Sequence, residues 1–347
     1  MAKDIGIGII GIGMGSTLLP INNDQSSRLV VRGVCSRSAE RTRALADEWK
    51  LPYWTTDYRE MIARDDMHVI GVFSPDHLHA EHCVAALEAG KHVICTKPMV
   101  TSLRDAEKLV RLVDEKRAKF LVGQTMRWDP MFAGAKRMLD DGDLGEIIFA
   151  EGHYVHDLRT FAYLTPWRIK VPQDLMYGGV SHPIDLLRWF VGDISEVHCF
   201  SKRSGLSEYP LDEDFVLNLR FNGGQIGRVL GAYGCVHPPM PMMGLGLYGT
   251  KASLMADFTD KLGGSLKVVY DKLERLPAGT FPFPAETEGA YGHGLTVMRY
   301  LQHFEDCLVN DRQPIVGVRE GAKSVAVCAA AWESAKTGQV VKPKQEF

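Results

Sequence analysis

Short apolar runs alternate with amphipathic stretches over the first 125 residues. Five of these runs have the length of buried strands, at residues 5–10, 29–35, 69–73, 92–95 and 120–123. Apolar residues recur at helical spacing between the runs, which predicts helices directly after the glycines at 11–15 and at 39–49, 79–89 and 102–117. Ser38 is the candidate N-cap of the second of these helices, and Gly90 the candidate C-cap of the third. Strands that alternate with helices in this way predict a parallel sheet with right-handed crossovers.

The pattern changes after about residue 125. Apolar and polar residues alternate over longer segments, which predicts strands at 147–154, 196–202, 215–221, 225–233, 244–249 and 252–257. Asn222-Gly223-Gly224 lies between two of these segments and is typical of a hairpin turn. Helices are predicted at 296–309 and 319–336, and proline-rich loops at 238–241 and 277–284. We therefore expect an antiparallel sheet with a few helices in the second part of the chain.

Length, charge and cysteine content narrow the class of protein. A chain of 347 residues is long for one core, so we expect two domains, residues 1–125 and 126–347. The net charge of −3 creates no field suited to nucleic acid or to an anionic membrane. Seven cysteines without a CxxC pair favour a reducing compartment over a disulfide framework. The N-terminus lacks a signal-peptide pattern, and no apolar run reaches about 18 residues, so we expect a cytoplasmic protein that does not span a membrane.

The glycine-rich segment after the first strand has the pattern of a phosphate-binding turn. Gly11, Gly13 and Gly15 follow that strand, with Met14 between the last two. Such a turn lets backbone N–H groups approach a pyrophosphate, and the following helix N-terminus adds positive potential. The third small residue of the usual motif is Ser16 here, so the match is partial. The segment predicts a dinucleotide cofactor.

The end of the second strand indicates which dinucleotide binds. A carboxylate at this place usually accepts hydrogen bonds from both ribose hydroxyls of NAD. This chain has Ser36 and Arg37 there, a hydroxyl and a guanidinium suited to a 2′-phosphate or to stacking on adenine. We therefore expect a preference for NADP, with NAD as the alternative.

The loop after the third strand lies at the carboxyl edge of the sheet, where a cofactor crevice forms. We expect Ser74, Pro75 and His79 to contact the cofactor there. His77, His79 and His82 are closely spaced, but no cysteine or second carboxylate completes a set of metal ligands with them. Helix capping and core packing explain these histidines better, so no metal is predicted.

Lys97 and His182 are the candidate acid–base groups. Lys97 lies two residues after the fourth strand, where its ammonium is expected to face the cofactor. His182 begins an amphipathic run, and Asp185 one turn later is placed to orient its ring. Trp167 and Arg168 offer an aromatic face and a fork of donors, which suits a polyhydroxylated ligand.

Together these motifs resemble the Gfo/Idh/MocA oxidoreductases, the family of glucose–fructose oxidoreductase and inositol dehydrogenase. The resemblance covers nearly the whole chain. Besides the glycine turn it rests on Ser74-Pro75-Asp76-x-x-His79, Ala89-Gly90-Lys91-His92-Val93, Lys97-Pro98, Gly178-Gly179-x-x-His182-x-x-Asp185 and Glu333-Ser334-Ala335-x-x-Gly338. It implies a Rossmann domain followed by an α/β domain with a large open, mainly antiparallel sheet. It also implies NAD(P) chemistry on sugars, polyols or their derivatives, and a homodimer or homotetramer formed through that sheet.

The resemblance also implies roles for single residues. Lys97 matches the lysine of the family's Glu-Lys-Pro motif, and His182 matches its catalytic histidine. Arg127 matches a stretch that lies near the nicotinamide, and the pair Trp167-Arg168 matches a Trp-Arg pair near the substrate.

This chain departs from the family's pattern at two carboxylates. Thr96 stands where the family has the glutamate before the lysine, and Gly178 stands where it often has an aspartate. Asp157 and Asp174 are the candidates to take the place of a missing carboxylate near the substrate.

Three functions are compatible with these features. The favoured one is an NAD(P)-dependent dehydrogenase or reductase of CH–OH groups, with Lys97 and His182 as the acid/base pair. The first alternative is a redox-neutral sugar lyase or glycosidase that retains NAD(H) and passes through a transient keto intermediate. The second alternative is a non-catalytic dinucleotide-binding sensor.

Overall fold

The computed structural model describes residues 4–159, 171, 173–203, 209–259, 263–270, 279–283 and 294–347. The chain forms two units. The first contains residues 1–125, 286–322 and 347, and the second contains residues 126–285 and 323–346. The long segment of the first unit ends where the first predicted domain ends, and the unit also takes up a later segment of chain.

The first unit is built on a six-stranded parallel sheet. Its strands are β1 (Ile5–Ile10), β2 (Leu29–Cys35), β3 (Tyr53–Thr55), β4 (Val69–Val72), β5 (His92–Thr96) and β6 (Phe120–Gly123). Their spatial order is β3-β2-β1-β4-β5-β6, and every pairing is parallel. The order reverses direction at β1 and β4, and in such sheets ligands bind outside the carboxyl ends of the strands at that point. The predicted parallel sheet is confirmed.

The second unit is built on an eight-stranded sheet. Its strands are β7 (Ile147–Val155), β8 (Ile194–Lys202), β9 (Asp214–Phe221), β10 (Ile226–Ala232), β11 (Met243–Gly249), β12 (Ala252–Thr259), β13 (Gly263–Tyr270) and β14 (Gly279–Phe283). The spatial order is β14-β13-β12-β11-β7-β10-β9-β8, and only the β7–β10 pairing among these is parallel. The predicted large, mainly antiparallel sheet is confirmed.

Helices of the described residues cover or follow these strands. In chain order they are α1 (Ile12–Gly15), α2 (Ala39–Glu48), α3 (Tyr58–Ile62), α4 (His79–Glu88), α5 (Leu103–Lys116), α6 (Pro130–Asp140), α7 (Ser181–Val191), α8 (Gly294–Val309) and α9 (Val318–Thr337). The predicted caps of two of them are confirmed. The Oγ of Ser38 accepts the Arg41 N–H at the start of α2, and Gly90 after α4 has a φ of +73°.

Several details differ from the predicted pattern, among them strand β13, which was not predicted. The helix-like stretch after the glycines is the four-residue α1 continued by the 3-10 helix Ser16–Asn23, which contains Pro20 and its missing N–H. The short elements β3 and α3 were not predicted, because three and five residues carry too little periodicity. Helix α6, with Asp129 as its N-cap, was also missed. The loop predicted at 277–284 is wrong over Gly279–Phe283, since β13 pairs that segment into the sheet as β14.

The later segment of the first unit is bonded to its sheet and to the start of β2. The Val122 N–H of the edge strand β6 donates to the Val316 carbonyl at 2.9 Å. The Glu305 carboxylate of α8 accepts from the Ser27 hydroxyl at 2.5 Å and from the Arg28 N–H at 2.8 Å. Residues 294–322 therefore complete the first unit rather than the second.

The predicted hairpin at Asn222-Gly223-Gly224 is confirmed, because it joins the antiparallel strands β9 and β10. Side chains of β9 alternate strictly between buried and exposed, as expected for a sheet with one covered face. Along the described part of the chain, no helix combines the length and apolar character needed to cross a membrane.

Candidate functional site

The glycine turn of the first unit is tightly packed except at one position. Gly11 has a φ of +98°, and a Cβ there would lie 2.3 Å from the Phe73 carbonyl oxygen. A Cβ on Gly15 would lie 2.5 Å from Ile9. Gly13 is exposed, and a Cβ there would have no neighbouring atom within 4 Å in the described structure. Of these three glycines, Gly13 is the one with open space beside it, which fits the approach of a phosphate group to this turn.

Two side chains follow β2 at the same edge of the sheet. The Ser36 hydroxyl is hydrogen-bonded to the Thr42 hydroxyl at 2.5 Å and accepts the Ser38 N–H at 3.4 Å. These contacts fix Ser36 against the start of α2. Arg37 is exposed, so its guanidinium is accessible to a ligand at the surface.

The loop after β4 is fixed by two histidines of α4. The Ser74 hydroxyl is hydrogen-bonded to the His82 Nδ1 at 2.8 Å, and burial lowers the pKa of His82 to about 4. His79 is buried, and its two ring nitrogens lie 2.7 Å from the carbonyl oxygens of Ser74 and Pro98. The backbone next to Pro75 is therefore fixed by the two histidines of α4. The Pro75 ring itself is half-buried.

Lys97 lies directly after β5, at the carboxyl edge of the parallel sheet. Its side chain is half-buried, and the Lys97–Pro98 peptide bond is cis. Met14 of the glycine turn is also half-buried and lies at this carboxyl edge, after β1. The structure thus places Lys97, Ser74, Ser36 and the glycine turn on one edge of the first unit's sheet.

His182 of the second unit is held by an aromatic stack. It lies in the first turn of α7, is 6% exposed, and its ring stacks on Tyr154 of β7 with centroids 5.6 Å apart and an interplanar angle of 9°. Tyr154 in turn stacks on Tyr233, at 5.7 Å. A π-helical segment, Met176–Val180, leads directly into α7, and such segments occur frequently at functional sites.

The two glycines before His182 leave room for neighbouring side chains. A Cβ on Gly178 would lie 2.9 Å from the carboxamide carbon of Gln173. A Cβ on Gly179 would lie 1.6 Å from the Tyr233 hydroxyl, and burial raises the pKa of that phenol. The space where the family often carries an aspartate side chain is therefore filled by a neutral amide.

Arg127 and Asp185 form a buried, two-pronged ion pair. The Arg127 Nε and Nη2 donate to the two Asp185 oxygens at 2.8 and 2.7 Å, and both side chains are at least 95% buried. The Ser324 hydroxyl donates to the same carboxylate at 3.4 Å. Within the second unit, Asp185 thus binds the arginine that the resemblance assigned to the nicotinamide, and not the His182 ring that we expected it to orient.

Asp157 and Asp174, the candidate replacements for a missing carboxylate, have other partners. Asp157 accepts from the Arg159 guanidinium at 2.9 and 2.5 Å and from the His237 N–H, and these contacts hold the pKa of its carboxyl well below the usual range. Asp174 accepts from the Trp332 indole at 2.9 Å and from the Met176 N–H at 3.0 Å. Both carboxylates therefore stabilise local structure.

Trp167 and Arg168 lie outside the described residues. Among the residues that are described, no group of three or more potential ligands is placed to hold a metal ion. Sequence reasoning missed Tyr154, Tyr233 and Gln173. The two tyrosines reach the predicted residues through the folded sheet, and Gln173 reaches Gly178 from the segment just before the π-helical turn. No spacing signal links them to His182 in the sequence.

Comparisons with known proteins match both parts of the chain. Residues 5–124 match a family model described as an oxidoreductase family with an NAD-binding Rossmann fold. Residues 136–342 match the model of that family's C-terminal alpha/beta domain. Together the two models span most of the chain.

Individual relatives are more distant. Levoglucosan dehydrogenase of Pseudarthrobacter phenanthrenivorans is 26% identical over 270 residues, which are 70% of this chain and 68% of that protein. Inositol 2-dehydrogenase of Salmonella typhimurium is 29% identical over 190 residues, about half of each chain at 54%. A solved structure of levoglucosan dehydrogenase in complex with NADH and levoglucosan aligns with a TM-score of 0.86 at 23% identity, covering 98% of this chain and 99% of that one. At this identity, the structural similarity establishes the fold.

Proposed function

The chain belongs to the Gfo/Idh/MocA oxidoreductase family, and we propose that it transfers hydride between a nicotinamide cofactor and a CH–OH group of a sugar, polyol or sugar derivative. The observation that carries the proposal is the glycine turn, packed on both sides and open at Gly13, at the carboxyl end of β1. The names of the matched relatives, dehydrogenases of levoglucosan and inositol, support this substrate class.

Residues of the first unit would hold the cofactor. The turn at Gly11, Gly13 and Gly15 would hold the pyrophosphate, and Ser74 and Pro75 at the end of β4 would line the nicotinamide side. When bound, the nicotinamide accepts or donates the hydride. The residues around it have three tasks, which are to orient the substrate, to exclude water and to move one proton.

His182 and Lys97 are proposed as the acid/base pair. The imidazole of His182 takes the proton of the reacting hydroxyl as hydride leaves the same carbon, and the Lys97 ammonium polarises that oxygen. In the reverse direction they return the proton. The stack on Tyr154 holds the His182 ring in one orientation, which general acid–base catalysis requires of a proton acceptor. Such help contributes about 10²–10⁴-fold to the rate.

The second unit would supply most of the substrate contacts. Gln173 fills the space beside Gly178, one helical turn before His182. An amide both donates and accepts hydrogen bonds, so it suits a neutral hydroxyl-rich ligand. Arg127 stays a prediction as a contact on the nicotinamide side, and its guanidinium is buried in the ion pair with Asp185. Trp167, Arg168 and Asp157 stay predictions as substrate contacts.

The choice between NAD and NADP is proposed to depend on Arg37. Ser36 is fixed against Thr42, while Arg37 is exposed at the end of β2, where the NAD-binding carboxylate of other Rossmann folds is replaced. We expect NADP to bind more tightly, since a guanidinium pairs with a 2′-phosphate. The matched solved structure of levoglucosan dehydrogenase contains NADH, which makes the direct comparison of the two cofactors informative.

The exposed face of the second sheet is proposed to pair with a second copy of this chain. Apolar side chains stand on that face on several strands, namely Phe200, Val216, Ile226, Met255 and Val269, each at least 41% exposed. Phe200 and Val216 are direct cross-strand partners. Apolar patches of this kind mark protein interfaces. Light scattering should give a dimer or tetramer, and Phe200→Asp should shift it towards the monomer.

The test of the function is a panel of sugars and polyols assayed by nicotinamide absorbance with NAD and with NADP. Turnover coupled to a change in that absorbance supports the proposal. Substrate consumed without any net absorbance change, with cofactor retained at near-stoichiometric occupancy, would instead indicate the redox-neutral lyase or glycosidase. Dinucleotide binding without reaction on any member of the panel would indicate the sensor.

A further inference from the structure

His79 joins the two loops that carry Ser74 and Lys97. It is the first residue of α4, and its side chain is 1% exposed. Its Nδ1 lies 2.7 Å from the Pro98 carbonyl oxygen, and its Nε2 lies 2.7 Å from the Ser74 carbonyl oxygen. The ring therefore spans from the end of β4 to the residue after Lys97.

The partners of the ring determine its protonation. A carbonyl oxygen only accepts hydrogen bonds, so each ring nitrogen must carry a hydrogen to bond there. A neutral imidazole carries a hydrogen on one of its two ring nitrogens, so it can donate to one of the two carbonyl oxygens. At 2.7 Å the other nitrogen would then place its lone pair against a carbonyl oxygen, which is repulsive. The geometry requires the imidazolium, with a hydrogen on both nitrogens.

His82 provides an internal comparison, because it lies one turn later on the same helix. Its Nδ1 faces the Ser74 hydroxyl, which both donates and accepts. A neutral ring satisfies that contact. Two histidines three residues apart are thus held in different charge states, His79 by two carbonyls and His82 by a hydroxyl.

The surroundings of His79 offset the cost of a buried charge. Burial alone favours the neutral ring, but the Cys95 sulfur of β5 and the two carbonyls raise the pKa of His79 to about 9. The other titratable groups near this cluster are Cys83 and His82 of α4, and they are uncharged near neutral pH because burial raises the pKa of Cys83 and lowers that of His82. The two carbonyl dipoles stabilise the charged ring directly, while the Cys95 Sγ donates weakly to the Thr96 and Met99 carbonyl oxygens at 3.3 and 3.6 Å.

We propose that His79 is protonated at neutral pH and positions Lys97 by tying the backbone at Pro98 to the backbone at Ser74. His79 is then a positioning residue and does not touch the cofactor, contrary to the cofactor contact expected from the sequence. The positioning part of this proposal rests on the proposed role of Lys97. The charge of His79 does not, so the two parts are tested separately.

The charge is tested by nitrogen NMR of protein labelled with ¹⁵N in its histidine rings. At pH 8 the wild-type spectrum should contain a ring with hydrogens on both nitrogens, which is lost in His79→Gln and kept in His82→Gln. The His82 ring should show one bare nitrogen. Complete absence of a doubly protonated ring from the wild-type spectrum at pH 8 overturns the proposal, even if the His79→Gln variant does not fold.

The positioning role is tested by a double-mutant cycle on turnover. His79→Gln alone should lower kcat at least tenfold, because glutamine retains one link at most. In a Lys97→Met background the same change should have little further effect, since the group it positions is gone. Equal losses in both backgrounds would assign His79 a general structural role and overturn positioning. If Lys97→Met itself retains full turnover, the proposed role of Lys97 fails and the positioning part with it, while the NMR result still stands.

Discussion

The candidate residues of the two units are held in place by different means. In the first unit the fixing contacts are made by backbone: the turn at Gly11, the loop at Ser74 and the carbonyl of Pro98 are joined to strand ends or to one buried ring. In the second unit they are made between side chains far apart in the sequence. Arg127 and Asp185 are 58 residues apart, and His182 stacks on a tyrosine of β7.

This difference suggests where each unit tolerates change. A backbone-fixed loop depends on glycines and caps, and it leaves its exposed side chains free to vary with the ligand. A site fixed by buried side-chain pairs depends on both members of each pair. Substitutions in the second unit should therefore alter stability and activity together, whereas exposed substitutions in the first should alter cofactor choice alone.

The largest effect should come from the proposed acid/base groups, one in each unit. Lys97→Met and His182→Ala should each lower kcat by about 10²–10⁴-fold with cofactor binding retained, because each removes a proton-transfer or polarising group. Lys91→Met is the matched control, since Lys91 precedes β5 at the opposite end of the strand and donates to the Arg64 carbonyl. Steady-state kinetics and cofactor titration measure both quantities. Near-full turnover in both test variants would reject the assignment.

Breaking the buried pair of the second unit should have the next largest effect. Asp185→Asn leaves the Arg127 guanidinium buried without its counter-charge, so the free energy of unfolding should fall by about 3–5 kcal/mol. The control is Asp114→Asn in the first unit, because Asp114 and Arg319 form the same two-pronged pair at about half exposure. That exposed pair should contribute less than about 1 kcal/mol. Similar losses in urea denaturation of the two variants would contradict the comparison.

Alanine substitutions at two glycines should have smaller effects on stability, opposite in sign to each other, and they test the packing beside His182. Gly179→Ala should destabilise by about 1–3 kcal/mol, because its Cβ meets the Tyr233 hydroxyl. Gly134→Ala in α6 should stabilise by up to about 1 kcal/mol, since its Cβ would only make an ordinary contact with the Arg137 Nη2 at 3.9 Å and alanine favours helix. Thermal unfolding of both variants gives the signs. Stabilisation by Gly179→Ala would show that Tyr233 lies elsewhere.

The smallest effect is expected at the exposed end of β2. Arg37→Ala should weaken NADPH binding about tenfold, equivalent to about 1.4 kcal/mol, and leave NADH binding unchanged. Arg41 is exposed in the first turn of α2, so Arg41→Ala should change the affinity for neither cofactor. Fluorescence titration with both reduced cofactors decides the matter. A wild-type protein that binds NADH more tightly than NADPH would defeat the proposed preference.

The same difference between local backbone contacts and distant side-chain contacts decides which features the sequence predicts. The strands of the first unit other than the three-residue β3, its caps and its glycine turn were readable because each signal is local: an apolar run, a Ser38 cap, a glycine that needs positive φ. The hairpin at 222–224 was readable for the same reason. The pairing of Gly279–Phe283 into the second sheet was not, because a proline-containing strand at a sheet edge has no local signature.

Side-chain partners were the hardest to predict. Asp185 is one helical turn from His182, so the sequence favoured a contact between them, but the fold gives the carboxylate to Arg127. Gly178 could be recognised as a departure from the family, yet nothing local indicated that Gln173 fills the space. Helical spacing says which residues share a face, and tertiary packing decides what meets that face.

The hydrogen bond from Val122 to Val316 has a practical consequence for anyone who wishes to isolate the nucleotide-binding half. A fragment cut after residue 125 would leave the Val122 N–H of the edge strand β6 without its partner, and bare strand edges recruit other chains into aggregates. Such a fragment should be made with residues 294–322 fused or supplied as a second piece. Recovery of the fragment from aggregation on addition of that piece would then measure reconstitution of the unit.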